Sequence, residues 1–455
     1  MQLKNQEVSF ISNSLILLIT WLVIEIAFKP DPIIASILFG CFLIAAFLKI
    51  PYSIAAVLTL YFIIPSDAVS YLFIASPAGN FPLYIVLILV FIILGFFKYG
   101  RISSTIDKRE FNIYAGLFTI IIFQIICLLL FSENVILSNT VKFAFQTIGI
   151  LLMIKLCRIT EETVYRVCIF IICLSVIAII EGAFEVLGGF NLYEIYRSTE
   201  LSEWLDWMAV SGTSVWRAKS TFANPLIYSS AMVLSLTCVE YIRLKTNRTL
   251  VPIVLITILA VGMLMGGSRS SIVILAAYLI HYIMNSNVKQ KFLAIVGIII
   301  ACTMIVYYVD LSLVFERFST SKTDGSLKHR LTAYGVFLSL FGKYFLTGCG
   351  LGNTYTILQN QISNSFLTNT FDNAFMDFSL GVGVVGLLAL VFVFKNVANI
   401  CNRKDNRLIK CATWLLVALS FFLNTTKYQS LWGVFWVYIA LNVYALPDIQ
   451  DDGGM

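Results

Sequence analysis

Long apolar stretches recur along nearly the whole chain, each closed by a short polar or charged connection. A helix needs about 20 largely apolar residues, with roughly 17 to 25 tolerated, to cross the hydrocarbon core of a bilayer. Such stretches fall near 10–28, 33–48, 51–64, 81–97, 112–131, 140–156 and 164–188. They resume near 225–242, 249–266, 270–286, 292–309, 374–394, 409–424 and 428–446. The pattern predicts an all-α polytopic membrane protein with about fourteen transmembrane helices (range about 12–14). The second and third stretches are short, which suits tilted, broken or re-entrant segments. No low-complexity linker and no internal repeat divides the chain, so 1–455 reads as a single integral membrane domain.

The polar connections alternate in charge. With Lys4 and the N-terminus in the cytoplasm, the inner connections hold Lys49, Lys98, Arg101, Lys108, Arg109, Lys155, Arg158 and Arg166. Further along they hold Arg243, Lys245, Arg248, Lys289, Lys291, Lys395, Arg403, Lys404, Arg407 and Lys410. Short outer connections hold only Lys29, Lys142, Arg269 and Lys427. Inner loops of membrane proteins carry an excess of Lys and Arg, so both termini are expected inside. The formal net charge of +6 is thereby accounted for by topology, and no nucleic-acid partner is expected.

Composition agrees with the pattern: 59% of the 455 residues are hydrophobic and 12% charged, where a soluble domain carries about 25% charged residues. The first apolar run is followed by Phe28-Lys29-Pro30-Asp31-Pro32 and not by a small-residue cleavage site, which predicts an uncleaved first span. Cys349 is the one clear outer-loop cysteine among 10, so no disulfide framework is implied. No cysteine pair has metal-ligand spacing and the chain has 2 histidines, so no metal site is expected.

Two connections are long, 189–224 and the larger 310–372, and both fall on the outer face. Long connections in compact proteins are functional or disordered. The first is rich in aromatics: Tyr193, Tyr196, Trp204, Trp207 and Trp216. The second contains a helix-period stretch from Arg330 to Phe345, with Tyr334, Phe337, Leu338 and Phe341 on one side, which predicts an amphipathic surface helix.

Several cations point to the same outer interface. Arg217 and Lys219 precede Ser220-Thr221-Phe222-Ala223-Asn224-Pro225; Arg269 sits in Gly266-Gly267-Ser268-Arg269-Ser270-Ser271; Arg330 opens the surface helix. Arginine presents a planar fork suited to phosphate oxygens, and three of them together would suit a pyrophosphate. The plainer reading is that each snorkels to lipid headgroups. Leu346-Thr347-Gly348-Cys349-Gly350-Leu351-Gly352-Asn353 resembles a Gly-rich phosphate loop, but a nucleotide site needs a preceding strand and a cytoplasmic location. A tight turn and a ligand contact both fit it. Asp372-Asn373 opens the next span, followed by Gly381, Gly383 and Gly386, whose spacing suits close helix packing. Asp372 suits either a general base or an N-cap. His329, beside Arg330, reads as a solvated loop residue.

In order and on one face, these features resemble the O-antigen polymerase and ligase superfamily. The likeness rests on Arg217 with Ser220 to Pro225, the Ser268-Arg269-Ser270 turn, Arg330 with Gly348 to Asn353, and Asp372-Asn373 opening a Gly-rich span. It covers roughly 215–395, and the multi-span layout extends it to the whole chain. The resemblance implies metal-independent glycosyl transfer, with no cofactor, on the periplasmic face of the bacterial inner membrane. The donor is then a glycan on undecaprenyl pyrophosphate, with arginines at Arg217 and Arg269 holding the pyrophosphate and Asp372 serving as base. Lys219, Asn224, Arg330, Asn353 and Asn373 are the further substrate contacts it suggests, and a chain-length regulator in the membrane is the protein partner. Ligases of this kind have His-Asn where this chain has Asp372-Asn373, which favours the polymerase branch. Rival readings are a lipid-linked oligosaccharide flippase, a lipid-sugar glycosyltransferase with an acidic first outer loop, and a structural subunit. The chain lacks the repeats of many transporters, and Lys29-Pro30-Asp31-Pro32 is too small for an acidic-loop site.

Overall fold

The computed structural model describes residues 18–23, 32–49, 51–63, 74–76, 79–81, 83–99, 108–188, 217–222, 224–246, 250–284, 291, 325–361, 371, 373–403 and 407–445. Helices dominate them. In chain order they are α1 Pro32–Leu48, α2 Tyr52–Phe62, α3 Leu83–Tyr99, α4 Lys108–Phe131, α5 Asn134–Leu156, α6 Glu161–Gly188 and α7 Pro225–Thr246. There follow α8 Leu250–Met265, α9 Arg269–Met284, α10 Gly325–Lys343, α11 Thr354–Gln361, α12 Ala374–Arg403, α13 Arg407–Ser420 and α14 Gln429–Tyr444. A two-strand antiparallel hairpin, Ile74–Ser76 with Gly79–Phe81, precedes α3.

Most helices between α1 and α9, and α12 to α14, begin and end within a few residues of an apolar run, but α5 starts six residues before its run and α12 ends nine residues past its own. Among the described residues, α4, α5, α6, α7 and α12 are long and apolar enough to cross a membrane, and seven other apolar helices are shorter. Short α2 has 11 residues, or about 16 Å of helix against about 30 Å of hydrocarbon; Ile54, Val57, Leu58 and Phe62 bury it among its neighbours. The span at 292–309 and most of that at 10–28 lie outside the described residues, so the fourteen-helix count is not tested.

Among the spans α7 is the most buried, flanked by α6, α8, α13 and α14. Several of its polar positions are small hydroxyls that bond back to their own helix: Ser229 to the Pro225 carbonyl at 3.0 Å and Ser235 to that of Ala231 at 2.9 Å. Ser235 and Ser175 of α6 also share a hydroxyl contact of 2.8 Å. Small, internally satisfied residues let apolar helices approach closely where water is absent.

Polar contacts between helix ends sort into two sets. At one end Lys98 donates to the Leu48 carbonyl, Arg109 to that of Asn399, and Lys155 pairs with Glu110, which also accepts from Tyr444. Lys245 pairs with Glu161 at that end. At the other end Thr221 bonds to the Phe62 carbonyl, Lys219 to Glu185, Leu351 to Gln124, and Asn373 to the Phe421 carbonyl. Every one of these bonds joins ends that the charge alternation assigns to a common side.

The helix expected from Arg330 to Phe345 spans Gly325–Lys343. Ala333 and Leu340 are buried, with Val336, Phe337 and Tyr344 packed beside them, whereas Tyr334 and Leu338 are exposed. The side chains that set the face are the small Ala333 and the aromatic pair Phe337 and Phe341, stacked at 5.2 Å.

Candidate functional site

The last two turns of α6 carry Glu181 and Glu185, one above the other at i, i+4. Against them lies a strap, 217–222, that leads toward α7. Ala218, Lys219, Ser220, Thr221 and Phe222 are all buried. A buried loop must find a partner for each backbone polar group, and this one is stitched to three elements, α8, α6 and α2. Ala218 N–H donates to the Met265 carbonyl at 3.0 Å. The N–H groups of Lys219 and Ser220 both donate to Glu185 Oε2, at 2.7 and 2.9 Å. Ser220 Oγ donates to Glu181 at 2.6 Å, and the Thr221 hydroxyl to the Phe62 carbonyl.

Arg217 opens this strap. Its guanidinium donates to the carbonyls of Gly266 at 3.2 Å and Gly267 at 3.4 Å. Those two glycines form the turn between α8 and α9. Gly267 takes a left-handed φ of 60°, which glycine adopts at no steric cost. At Gly266 a Cβ would lie 2.1 Å from Ser229 Oγ. Ser268 caps α9 through the Ser271 N–H at 3.4 Å, which makes Arg269 the first residue of that helix. Arg217, Lys219 and the Arg269 turn, far apart in sequence, are thus one neighbourhood. A helix N-terminus adds its own positive end there, so the turn is a suitable place for an anion.

Asn224 has a structural duty: its Oδ1 accepts the Ile227 N–H at 3.0 Å and caps α7. Lys219 is only 2% exposed, with its charge acting on Glu185, so it stands inside the scaffold and not in an open loop.

A second group surrounds α12. Asn373 Oδ1 accepts the N–H groups of Phe375 at 2.9 Å and Met376 at 3.2 Å. The cap that Asp372 could have supplied is therefore made by Asn373. Asp372 lies outside the described residues, and so does the side chain of Arg330, whose backbone is in α10. Asp377 accepts from Asn424 at 2.8 Å one turn below. Asn353 is buried, donates to the Cys349 carbonyl at 2.9 Å, and keeps an Oδ1 without a hydrogen-bond partner among the described residues.

The Gly-rich stretch is a turn built against a broken helix, and most of its backbone donors are already occupied. Gly348 N–H goes to Tyr344, Cys349 to Leu380, Gly350 to Gly381, and Leu351 to the Gln124 side chain. A phosphate cradle needs several such donors converging on the ligand; here the tight-turn reading holds. Burial pushes the Cys349 thiol up to about 12.

Glu181, Glu185, Gln124 and the Asp377–Asn424 pair were not assigned from sequence. Carboxylates four residues apart at the end of an apolar span are the signal that could have found the first two, since an ionisable residue at membrane depth is functional by default.

Residues 253–391 match the family model described as O-Antigen ligase. The matched stretch runs from α8 through the Arg269 turn and the Gly348 turn into α12, and supports the O-antigen ligase and polymerase superfamily. No curated protein matches the chain.

Proposed function

We propose that this membrane protein is a glycosyltransferase that polymerises lipid-linked oligosaccharide repeat units at the outer face of the bacterial inner membrane. The donor in this reading is a glycan on undecaprenyl pyrophosphate. One observation carries it: the Arg217 guanidinium rests on the turn that presents Arg269. Breaking the anomeric C–O bond leaves charge on the departing pyrophosphate, and fixed cations stabilise that charge more as it develops. Arginine forks suit the phosphate oxygens. Asp372 is the proposed base for the acceptor hydroxyl, and Arg330, Asn353 and Asn373 are proposed glycan contacts on the α10–α12 side. The charge pattern of the connections supports placing both termini in the cytoplasm.

The family description favours a second reading, transfer of the finished glycan to a lipid A core; Asp372-Asn373 in place of His-Asn favours polymerisation. Deletion of the gene followed by gel analysis of surface glycan separates them. A polymerase deletion leaves a single repeat and no ladder. A ligase deletion leaves no glycan on the lipid anchor and long chains on the carrier lipid. Arg269→Ala should abolish chain extension at normal expression, and wild-type chain lengths in that variant would sink the assignment.

A further inference from the structure

We propose that Glu185 is the positioning residue of this site: by fixing the backbone at Lys219 and Ser220 it sets where the Arg217 guanidinium stands relative to the Arg269 turn. The inference rests on the reading of Arg217 and Arg269 as pyrophosphate ligands.

The geometry is specific. A single oxygen, Glu185 Oε2, receives two consecutive backbone N–H groups, at 2.7 and 2.9 Å. Charge-assisted bonds of this kind are about twice as strong as neutral ones. Ser220 is held at φ 52°, a left-handed conformation uncommon for a residue with a side chain. Such a conformation persists only where the surroundings over-determine it, and Glu181 on the Ser220 hydroxyl completes that grip at 2.6 Å. Glu185 is 0% exposed. A lone buried carboxylate is costly, and the two N–H groups and the Lys219 charge offset part of that cost here.

Position then propagates over a very short path. Lys219 is two residues from Arg217, and the intervening Ala218 is tied to Met265, one residue before the Gly266-Gly267 carbonyls that Arg217 grips. The strap is therefore pinned by α6 on one side and by the α8–α9 turn on the other. Releasing the α6 side frees Arg217 to drift while leaving its chemistry intact. Gly182 belongs to the same device, because a Cβ there would meet Ala218 Cβ at 2.9 Å and hold the strap away from α6.

The test uses the full chain purified in detergent, with thermal unfolding followed while undecaprenyl pyrophosphate is titrated and undecaprenyl monophosphate serves as control. Glu185→Asp keeps the charge beside Lys219 but withdraws the oxygen by one methylene. Glu185→Gln keeps the oxygen and removes the charge. The half-saturating pyrophosphate concentration should rise roughly tenfold in Glu185→Asp, and at least as much in Glu185→Ala, each with a lowered ligand-free midpoint because two buried N–H groups lose their acceptor. Glu185→Gln should stay within about threefold of wild type, because the acceptor geometry survives. If Glu185→Ala does not fold, Glu185→Asp decides the matter. Wild-type binding by Glu185→Asp, or a loss confined to Glu185→Gln, overturns the proposal. Arg217→Ala separates the two layers: if it binds pyrophosphate as wild type does, the ligand reading itself fails. If it loses binding while Glu185→Asp and Glu185→Ala retain it, the ligand reading stands and Glu185 has no positioning role.

Discussion

At Gly348, φ is 78° and a Cβ would lie 2.4 Å from the Gly381 carbonyl oxygen and 2.6 Å from Gly383 N. Those contacts are backbone and cannot yield as a flexible side chain would. Gly348→Ala therefore combines overpacking, which costs about 1–3 kcal/mol, with a left-handed conformation that disfavours a side chain by about 1–2 kcal/mol. The expected result is a clear fall in the yield of folded protein and in its thermal midpoint in detergent; Gly335→Ala, where nothing lies within 4 Å, is the matched control. The neighbouring Cys349 tests the same turn from another direction. It is fully buried and its thiol is pushed up to about 12. Because burial raises the folded value, the thiol stays protonated as pH rises through the ordinary cysteine range near about 8.5. Only the thiolate attacks a maleimide, so Cys349 should resist an impermeant maleimide on intact cells up to about pH 9 and react after denaturation. Rapid labelling of the native chain would mean that the turn is open.

The glycines of the 348–353 turn and of α12 stand out in the sequence, and spaced glycines do mark a close approach. What pairs with what was not legible, because Gly348 meets Gly383 only once α12 breaks. The break is at Gly383, φ 64° and ψ −173°. An interrupted helix strands backbone groups that the bilayer cannot satisfy, and the turn supplies partners. Cys349 and Gly350 N–H groups bond to the carbonyls of Leu380 and Gly381, while Val384 N–H bonds to that of Phe345. Gln124 of α4 completes the joint, accepting the Leu351 N–H at 2.6 Å and donating to Gly381 at 3.2 Å. Gly381 keeps its bond to Gly350 if Gln124 is lost, so Gln124→Leu orphans the Leu351 N–H, which costs about 1–3 kcal/mol. A lower thermal midpoint with unchanged span insertion is the expected outcome; an unchanged midpoint would show that the joint is held elsewhere. Such a joint depends on contacts tens to hundreds of positions apart, whereas the apolar runs that fix α4 and α12 are local, which is why the helices could be read and their connection could not. The role of the α6 glutamates was not legible for a related reason: Glu181 and Glu185 are recognisable as unusual charges near the outer end of an apolar span, but their partner is a strap whose burial no composition reveals.

For the molecule as a whole, the decisive property is which helix ends share a face. Glu110 receives both Lys155 and Tyr444, Glu161 receives Lys245, and Asn399 receives Arg109, so the starts of α4 and α6 and the ends of α5, α7, α12 and α14 lie together. The Arg217 strap, the Arg269 turn, the Gly348 turn and Asn373 are fixed to the opposite ends of those helices or of their neighbours. The relative placement follows from hydrogen bonds, and the absolute one is an expectation from the Lys and Arg excess of the first set. Cysteine accessibility tests the two together. In a cysteine-free background, Asn134→Cys at the start of α5 should label with an impermeant maleimide on intact cells, while Glu162→Cys at the start of α6 should label only after permeabilisation; both positions are exposed. Labelling of both from outside would break the sorting of ends, since α5 joins them. The inverse pattern would keep the bundle but turn it over, and Arg217 and Arg269 would then face the cytoplasm, away from any glycan already carried across the membrane. That single reversal would remove the polymerase reading while leaving every contact described above in place.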